Sequence, residues 1–328
     1  MQGNLINMKG LDLPYHPIRT ELYTPEELFE GYDPDQPGSW VKTPDFIIYR
    51  HFVCQGGTPP ENPYLGMMQA LHDQTITQGC TTVLAGRKVA AVMGGHQIRR
   101  DDPAYRETAE LARRLTRAEI LVTSGGGPGA MEATHLGAAL SGEEDDRLPW
   151  ALDLLRTEPE VPAVGKVVNG EGEIDRGLAA RAHAWFRPAH QVAQGIDNPE
   201  ESLAVPTWHY GHEPSTPFAT WIAKYFQNSI REAGLTALAR QGIIFTKGKA
   251  GTLQEIFQDS NQNYYRTHDH FSPMVFLGEK YWTNTYPVVD VLKNLFSPED
   301  FEEYVLITDD AREAAEFIED FSPDVPSR

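Results

Sequence analysis

Short apolar runs alternate with amphipathic stretches along the chain from Arg87 onward. Apolar runs that end at glycine or a polar residue are typical of buried parallel strands, and they predict strands at 88–93, 119–123, 203–206, 242–246, 273–277 and 304–307. Apolar residues three and four apart predict helices after Asp102 and at about 129–140, 216–240, from 251, 286–296 and 310–320. This alternation predicts an α/β fold: a doubly wound, Rossmann-like parallel sheet with helices on both faces.

Two segments depart from this alternation. Residues 1–80 are rich in Pro, Gly and Tyr, which predicts a loop-rich N-terminal extension packed on the core, with one short strand at 46–53. Residues 81–328 are predicted to form the nucleotide-binding domain, interrupted at about 141–201 by an insertion with one helix near 178–193.

The charge of the chain limits its partners. The 328 residues include 28 Lys plus Arg and 47 Asp plus Glu, a net charge of −19. This charge argues against binding to nucleic acid or to an anionic membrane, so a phosphate ligand must be held by a local arrangement of donors. No run reaches the roughly 18 apolar residues of a membrane span, and MQGNLINMKG does not resemble a secretory signal. A cytoplasmic protein is expected, with Cys54 and Cys80 as small core residues.

The first candidate motif is the string SGGGPGAME at 124–132. Consecutive glycines after a strand let the backbone approach a ligand, and Pro128 suits the first turn of the following helix, whose free N–H groups favour a phosphate. A purely structural turn is the alternative. A NAD site is disfavoured because no acidic residue follows a second strand about twenty residues on. The candidate binding residues are Gly125, Gly126, Gly127, Gly129 and Met131.

The second candidate motif is KGKAGTLQE at 247–255, which also follows a predicted strand and opens a helix. Thr252 and Glu255 have the spacing of a capping box, which would serve the helix alone. Lys247 and Lys249 beside a helix N-terminus favour an anion instead. Asp259 follows on the Glu255 face of the helix, either as a second site carboxylate or as a solvated surface group.

Together, GGGPGAMEAT and G-x-x-G-T-x-x-E resemble the Lonely Guy (LOG) family, with similarity from about Lys88 to Leu277. The resemblance implies a Rossmann-like homodimer that hydrolyses nucleoside 5′-monophosphates to free base and ribose 5-phosphate without a redox cofactor. The family's second signature is usually P-G-G-x-G-T-x-x-E, and its proline and second glycine are Lys247 and Lys249 here.

The resemblance also implies roles for individual residues. Glu255 would contact the ribose hydroxyls and the cationic transition state, and Glu132 would face the sugar. Gly248, Gly251 and Thr252 would hold the phosphate, with the first loop lining the same pocket. The family's catalytic arginine lies about fifteen residues before the second motif, where counting gives Glu232 with Arg231 adjacent, and alignment on 225–226 gives Ser229. Arg231 is the predicted counterpart, against the alternative of an exposed helix arginine.

Glycosidic cleavage suits these residues, because a fixed carboxylate stabilises positive charge at C1′ and a second group, Glu132 or Asp259, handles protons. The alternatives are a nucleotide-binding sensor without turnover and, less well supported, a NAD(P)-dependent oxidoreductase. The histidines have no metal-ligand spacing, so no metal is predicted. His209 and His212 could approach a ligand, and Trp208 or Tyr210 could stack on a base or be ordinary core or surface aromatics.

Overall fold

The computed structural model describes residues 12–209 and 214–322. It contains a seven-stranded, all-parallel sheet in the order β4-β3-β2-β1-β5-β6-β7. The strands are β1 (Val89–Met93), β2 (Leu121–Ser124), β3 (Ser202–Ala204), β4 (Trp221–Ile222), β5 (Gly242–Phe245), β6 (Met274–Leu277) and β7 (Val305–Thr308). The helices are α1 (Pro25–Leu28), α2 (Pro44–Cys54), α3 (Pro63–Leu84), α4 (Pro103–Arg117), α5 (Ala130–Ala139), α6 (Arg147–Leu155), α7 (Arg176–Gln194), α8 (Asn228–Leu238), α9 (Ala250–Tyr264), α10 (Val288–Leu295), α11 (Pro298–Tyr304) and α12 (Ala311–Asp320). The predicted doubly wound α/β fold is confirmed.

Helices cover both faces of the sheet. Alternate residues of β1 belong to opposite apolar clusters: Ala91 packs in the cluster of α8 and α9, and Ala90 packs in that of α4 and α12. In the register, Ala90 lies between Val122 of β2 and Gly242 of β5. Strands β2, β3 and β4 add in turn on one side of β1, and the chain then returns to add β5, β6 and β7 on its other side. The direction of strand addition therefore reverses between β1 and β5, which is the topological switch point of the sheet. In open α/β sheets, ligands bind outside the carboxyl ends of the strands at such a point.

The predicted strand at 46–53 is wrong, because these residues lie in helix α2. Thr43 begins this helix by accepting a hydrogen bond from the Phe46 N–H (3.4 Å), and Pro44 occupies its first position. The buried residues Asp45, Ile48 and Phe52 follow a helical spacing. The β-branched and aromatic composition favoured a strand locally, but the spacing of the buried positions is that of a helix.

The predicted helix at 216–240 is also wrong over its first half. Residues 214–226 are almost all buried, and they contain the short edge strand β4, while α8 begins only at Asn228. Leu203 of β3 pairs with Trp221 of β4. A segment that is buried on nearly every side has no helical period to detect, so its conformation is decided by pairing with β3.

The N-terminal arm, which we define as residues 12–84, is an integral part of the core. Tyr23 forms an antiparallel bridge with Ile222, exchanging backbone hydrogen bonds of 3.1 and 2.8 Å, and so covers the edge of the sheet at β4. The arm contains two long helices, α2 and α3, and is not predominantly loop as predicted. Helix α3 continues to Leu84 and so crosses the predicted boundary at residue 80.

Other predictions have mixed outcomes. The predicted helix near 178–193 is confirmed as α7, within a segment that also holds α6. Cys80 is buried, as expected, and burial raises the pKa of its thiol to about 11, whereas Cys54 is exposed and is not a core residue. Over the two described ranges, no helix has both the length and the apolar character needed to cross a membrane.

Candidate functional site

The two glycine loops meet at the carboxyl edge of the sheet, on either side of the loop that follows β1. Gly95 lies in this central loop. Its N–H donates to the carbonyl of Lys247 (2.9 Å), and its carbonyl accepts from the N–H of Ala130 (3.3 Å). Lys247 begins the second glycine loop and Ala130 begins α5, so one residue is bonded to both motifs. Helices α5 and α9 pack on opposite faces of the sheet but begin at the same edge.

The first loop is fully buried and held in one conformation. Gly129 is the N-cap of α5 and has a φ of 72°, and a methyl group there would lie 2.3 Å from the Gly95 carbonyl oxygen. Only glycine fits this position. The helix begins after it, at Ala130, so the prediction that Pro128 occupies the first turn is wrong. No side chain caps the N-terminus of α5.

A buried histidine network fixes the start of the first loop. The hydroxyl oxygen of Ser124 accepts from the Gly126 N–H (3.1 Å) and lies 2.8 Å from His135 Nε2, while His135 Nδ1 lies 2.9 Å from Ser202 Oγ. Burial lowers the pKa of His135 to about 3, so the ring is neutral at physiological pH. A neutral ring accepts at one nitrogen and donates at the other, and two hydroxyl neighbours can complement both roles.

The second loop does not form the predicted capping box. Helix α9 begins at Ala250 with Lys249 as its N-cap, and no side chain caps it. Thr252 therefore lies inside the first turn, and a methyl group on Gly248 would lie 2.0 Å from its Oγ1. Position 248 therefore has no room for a side chain larger than that of glycine, because Thr252 packs directly on it. The hydroxyl of Tyr281 donates to the Gly248 carbonyl and fixes the loop from outside.

The two lysines of the second loop are exposed and diverge. Lys249 Nζ donates to Gln97 Oε1 (3.1 Å). Lys247 lines a separate cavity of about 240 Å³ together with Glu107, Asp309 and the start of α4. The two lysine side chains therefore do not point to one common site, as the prediction of a shared anion requires. Only the side chain of Lys249 contacts the loop after β1.

Arg231 is the side chain that joins the two loops. It is the fourth residue of α8, is only 4% exposed, and its Nε donates to the carbonyl of Val205 (3.0 Å). A methyl group on Gly125 would lie 2.8 Å from Arg231 Nη2, so the guanidinium lies directly against the first loop. Its Nη1 lies 3.7 Å from Oε1 of Glu255, which belongs to the second motif.

This placement separates the three positions considered for the arginine. Ser229 is exposed, and Glu232 accepts a hydrogen bond from the side chain of Gln254 (2.6 Å). Arg231 alone among them contacts the first loop and approaches Glu255. The alternative of an exposed helix arginine is wrong. Glu255 itself is partly exposed, at 13% of its side chain.

Asp259 is buried and is not a solvated surface carboxylate. It lies one helical turn after Glu255, on the face of α9 that packs on the sheet, and is 1% exposed. Burial raises the pKa of this carboxyl well above its ordinary value, because the ionised form is costly away from water. A partly exposed carboxyl group and a buried one with a raised pKa thus follow one another along α9.

Glu132 is engaged in the protein interior. Arg100 donates to both of its oxygens, from Nε to Oε2 (2.8 Å) and from Nη2 to Oε1 (2.6 Å), and the Tyr105 hydroxyl also donates to Oε2 (2.8 Å). Arg100 in turn stacks over Trp185 at 4.0 Å and donates to its carbonyl. Arg100 and Glu132 are 2% and 1% exposed. The predicted contact of Glu132 with the sugar would require breaking this buried pair, so its position favours a structural role.

The remaining candidates that the structure describes do not form a second site. Trp208 is buried and stacks on Phe226 with ring centroids 4.7 Å apart, which makes it a core aromatic. His209 is exposed, whereas Tyr210 and His212 lie outside the described residues. Among the residues that are described, no group of three His, Cys, Asp or Glu side chains is placed to hold a metal ion.

Sequence reasoning missed Arg100 and Asp73. Both are charged residues that are almost fully buried, yet nothing in their local sequence marks them as different from surface charges. Asp73 accepts the backbone N–H groups of Phe226 and Gln227 at 3.0 and 2.8 Å, at the entrance to α8. The sequence carried no signal of this contact, because the predicted helix began at 216 whereas α8 begins at Asn228.

Comparison with known proteins leaves the family open. No protein-family model matches this chain, and no curated protein matches it. The functional interpretation therefore rests on the positions of Arg231 and the two glycine loops.

Proposed function

We propose that this protein is a nucleoside 5′-monophosphate phosphoribohydrolase, which cleaves the N-glycosidic bond to release the free base and ribose 5-phosphate. The observation that carries the proposal is the position of Arg231, which packs against Gly125 of the first loop and lies 3.7 Å from Glu255 of the second. One cation and one carboxylate thus lie near the starts of two helices whose N-cap residues make no side-chain capping hydrogen bond, at the switch point of the sheet. The motif resemblance supports the same reaction.

The substrate phosphate needs positively charged or N–H donor groups, whereas the sugar needs a negative charge in the transition state. The site contains groups of both kinds. The N-termini of α5 and α9 present N–H groups and the positive end of the helix dipole, which favour a phosphate. Arg231 adds a charge that can donate two parallel hydrogen bonds to it. The Glu255 carboxylate suits the positive charge that develops at C1′ as the bond to the base breaks.

The reaction also needs proton transfers. Water adds to C1′, the electron pair of the C1′–N bond goes to the base, and a proton from water completes the products. Glu255 is the group that would accept the proton of water. Asp259 is the remaining candidate for the acid, because burial raises its pKa and it lies one turn from Glu255, whereas both oxygens of Glu132 are occupied.

The test is an assay of the purified protein with a panel of ribo- and deoxyribonucleoside monophosphates, measuring free base and ribose 5-phosphate. Glu255→Gln should reduce turnover by about 100-fold or more while leaving nucleotide affinity within a few fold, since it removes a charge needed mainly in the transition state. Near-normal turnover in this variant would exclude a catalytic role for Glu255.

Glu232→Gln is the matched control. Glu232 lies on α8 one residue from Arg231 and contacts Gln254, the neighbour of Glu255. Its neutralisation removes the same charge from nearly the same place without removing the carboxylate of the second motif. Turnover should remain within about twofold. A comparable loss in both variants would indicate a general electrostatic effect.

A nucleotide-binding sensor without turnover is the second candidate. The observation that favours it is Lys249 at the N-cap of α9, where an exposed lysine side chain adds a positive charge beside the N-terminus of the helix. A charge beside the phosphate strengthens ground-state and transition-state binding equally, so it supports binding more than catalysis. In the same assay, tight binding with no product would support the sensor. The homodimer implied by the resemblance is likewise proposed and is testable by light scattering.

A further inference from the structure

The entrance to α8 is held by the N-terminal arm. Asp73 lies in the middle of α3, is fully buried, and accepts hydrogen bonds from the N–H groups of Phe226 (3.0 Å) and Gln227 (2.8 Å). Each N–H uses a different carboxylate oxygen. Gln227 is the N-cap of α8, and its own side chain makes no capping hydrogen bond. A residue more than 150 positions earlier therefore satisfies this helix entrance.

A short chain of bonds connects Asp73 to Arg231. The N–H of Gln227 donates to the Asp73 carboxylate, and the carbonyl of Gln227 accepts the N–H of Arg231 (3.3 Å). Arg231 is thus one backbone hydrogen bond from the residue that Asp73 holds. Its guanidinium must fit between Gly125 and Glu255, where a shift of about 1 Å would change both contacts.

The carboxylate of Asp73 is itself fixed from behind. His72 Nδ1 lies 3.0 Å from Asp73 Oδ1, and His72 Nε2 lies 2.9 Å from the Tyr23 hydroxyl. Because a carboxylate only accepts, the His72 proton is on Nδ1 and the Tyr23 hydroxyl donates to Nε2. Burial lowers the pKa of His72, consistent with a neutral ring. Tyr23 also forms a backbone bridge to the edge of the sheet. The contacts from Tyr23 through His72 and Asp73 to Gln227 therefore connect the sheet to the start of α8.

We propose that Asp73 is a positioning residue for Arg231, which makes the N-terminal arm a working part of the nucleotide site. This inference rests on the proposed nucleotide-binding function. It assigns the arm a role that the glycine-loop motifs do not contain: the arm sets where α8 begins and thereby where the guanidinium lies.

The test is a double-mutant cycle on nucleotide affinity. Wild type, Asp73→Asn, Arg231→Gln and the double variant are titrated with adenosine 5′-monophosphate and the other monophosphates, by ligand-observed NMR to millimolar Kd. Asparagine has the same shape but replaces one acceptor oxygen with a donor. Asp73→Asn should weaken binding about tenfold in the wild-type background and less than twofold in the Arg231→Gln background, because its effect passes through Arg231.

Asp175→Ala is the matched control, since it removes an aspartate that accepts the Leu178 N–H (2.9 Å) at the N-terminus of α7. It should change affinity by less than twofold. Equal losses from Asp73→Asn with and without Arg231, or no loss in either background, would overturn the inference. If the amide prevents folding, Asp73→Ser keeps one acceptor oxygen on a smaller side chain and is used in the same cycle.

Hydrogen exchange separates this inference from the proposed function. Asp73→Asn should speed amide exchange at Phe226, Gln227 and Arg231 by tenfold or more, with no change in α7. If wild type binds no monophosphate, the proposed function fails, and this measurement still decides whether Asp73 holds α8. Unchanged exchange would refute the positioning role even if nucleotides bind.

Discussion

The buried contact of Glu132 with Arg100 makes a prediction that separates a structural from a catalytic glutamate. The substitution is Glu132→Gln, which keeps the shape of the side chain and removes its charge. Arg100 would then lie 2% exposed, over Trp185, without the carboxylate that now accepts two of its N–H groups. The Tyr105 hydroxyl, which donates to the same carboxylate, would also lose its charged acceptor.

The expected cost follows from burial. Removing one partner of a buried ion pair costs about 3–5 kcal/mol, because the remaining charge is left without compensation. With an unfolding entropy of about 2.1 cal/mol/K per residue, the 328 residues correspond to about 0.7 kcal/mol/K, so a loss of about 4 kcal/mol lowers Tm by about 6 °C. This is a large fraction of the stability of a typical domain, about 5–15 kcal/mol.

The assay is urea unfolding followed by circular dichroism, with turnover measured on the fraction that is folded. The control is Glu27→Gln, which breaks an equally close, doubly hydrogen-bonded pair with Arg19 (2.7 and 2.8 Å) whose glutamate is 42% exposed. An exposed pair contributes at most about 1 kcal/mol, so only Glu132→Gln should be strongly destabilised. A fully stable Glu132→Gln protein without turnover would refute the structural assignment and restore the predicted contact with the sugar.

Three further outcomes follow from local geometry. Gly248→Ala should destabilise the fold by about 1–3 kcal/mol and weaken nucleotide binding, because the added methyl group would lie 2.0 Å from Thr252 Oγ1. The control is Gly251→Ala, whose methyl group meets no atom within 4 Å and which should stabilise α9 by about 0.5–1 kcal/mol in the same urea titration. His135 has a folded pKa of about 3, below its unfolded value of about 6.5, so the unfolding free energy of wild type should fall by about 2 kcal/mol from this group between pH 6.5 and 5. His135→Asn should show a correspondingly shallower dependence of stability on pH. Equal slopes in the two proteins would contradict the neutral buried ring. Asp259 has a raised pKa, so the folded chain keeps its proton to higher pH than the unfolded chain, which releases it above about pH 4, and the stability from this group falls as pH rises. Asp259→Asn should therefore be more stable than wild type at pH 8. A variant that is less stable than wild type at this pH would contradict the raised pKa.

The strands and the glycine loops were predictable because their signals are local. The run at 88–93 is apolar throughout and ends at two glycines, and it forms β1 within one residue of the predicted bounds. Asp102 followed by Pro103 correctly marked the start of α4, where the Asp102 carboxylate accepts the Ala104 N–H (2.8 Å). A buried parallel strand and a capped helix each carry their cause within a few residues of sequence.

The wrong elements share a different property: their conformation depends on partners far along the chain. The segment at 214–226 is almost entirely buried, and it is shaped by pairing with β3 and with Tyr23 of the arm. The capping box at Thr252 failed for a related reason. A box at that spacing requires Thr252 to precede the helix, but α9 begins two residues earlier, at Ala250, where the loop after β1 holds the backbone of Lys247.

The acidic residues show most clearly why the motifs located the site but did not assign its groups. Glu132, Glu255 and Asp259 all lie on helices that follow the two glycine loops, and their spacing alone made each a candidate for catalysis. Their chemistry depends on their surroundings: Arg100 donates to both oxygens of Glu132, burial raises the pKa of Asp259, and only Glu255 of the three combines partial exposure with a nearby arginine. That arginine is placed by a helix whose entrance is held by Asp73 from the arm. A carboxylate becomes a functional group through long-range contacts, so the two motifs mark a location and the rest of the chain decides which acid can act there.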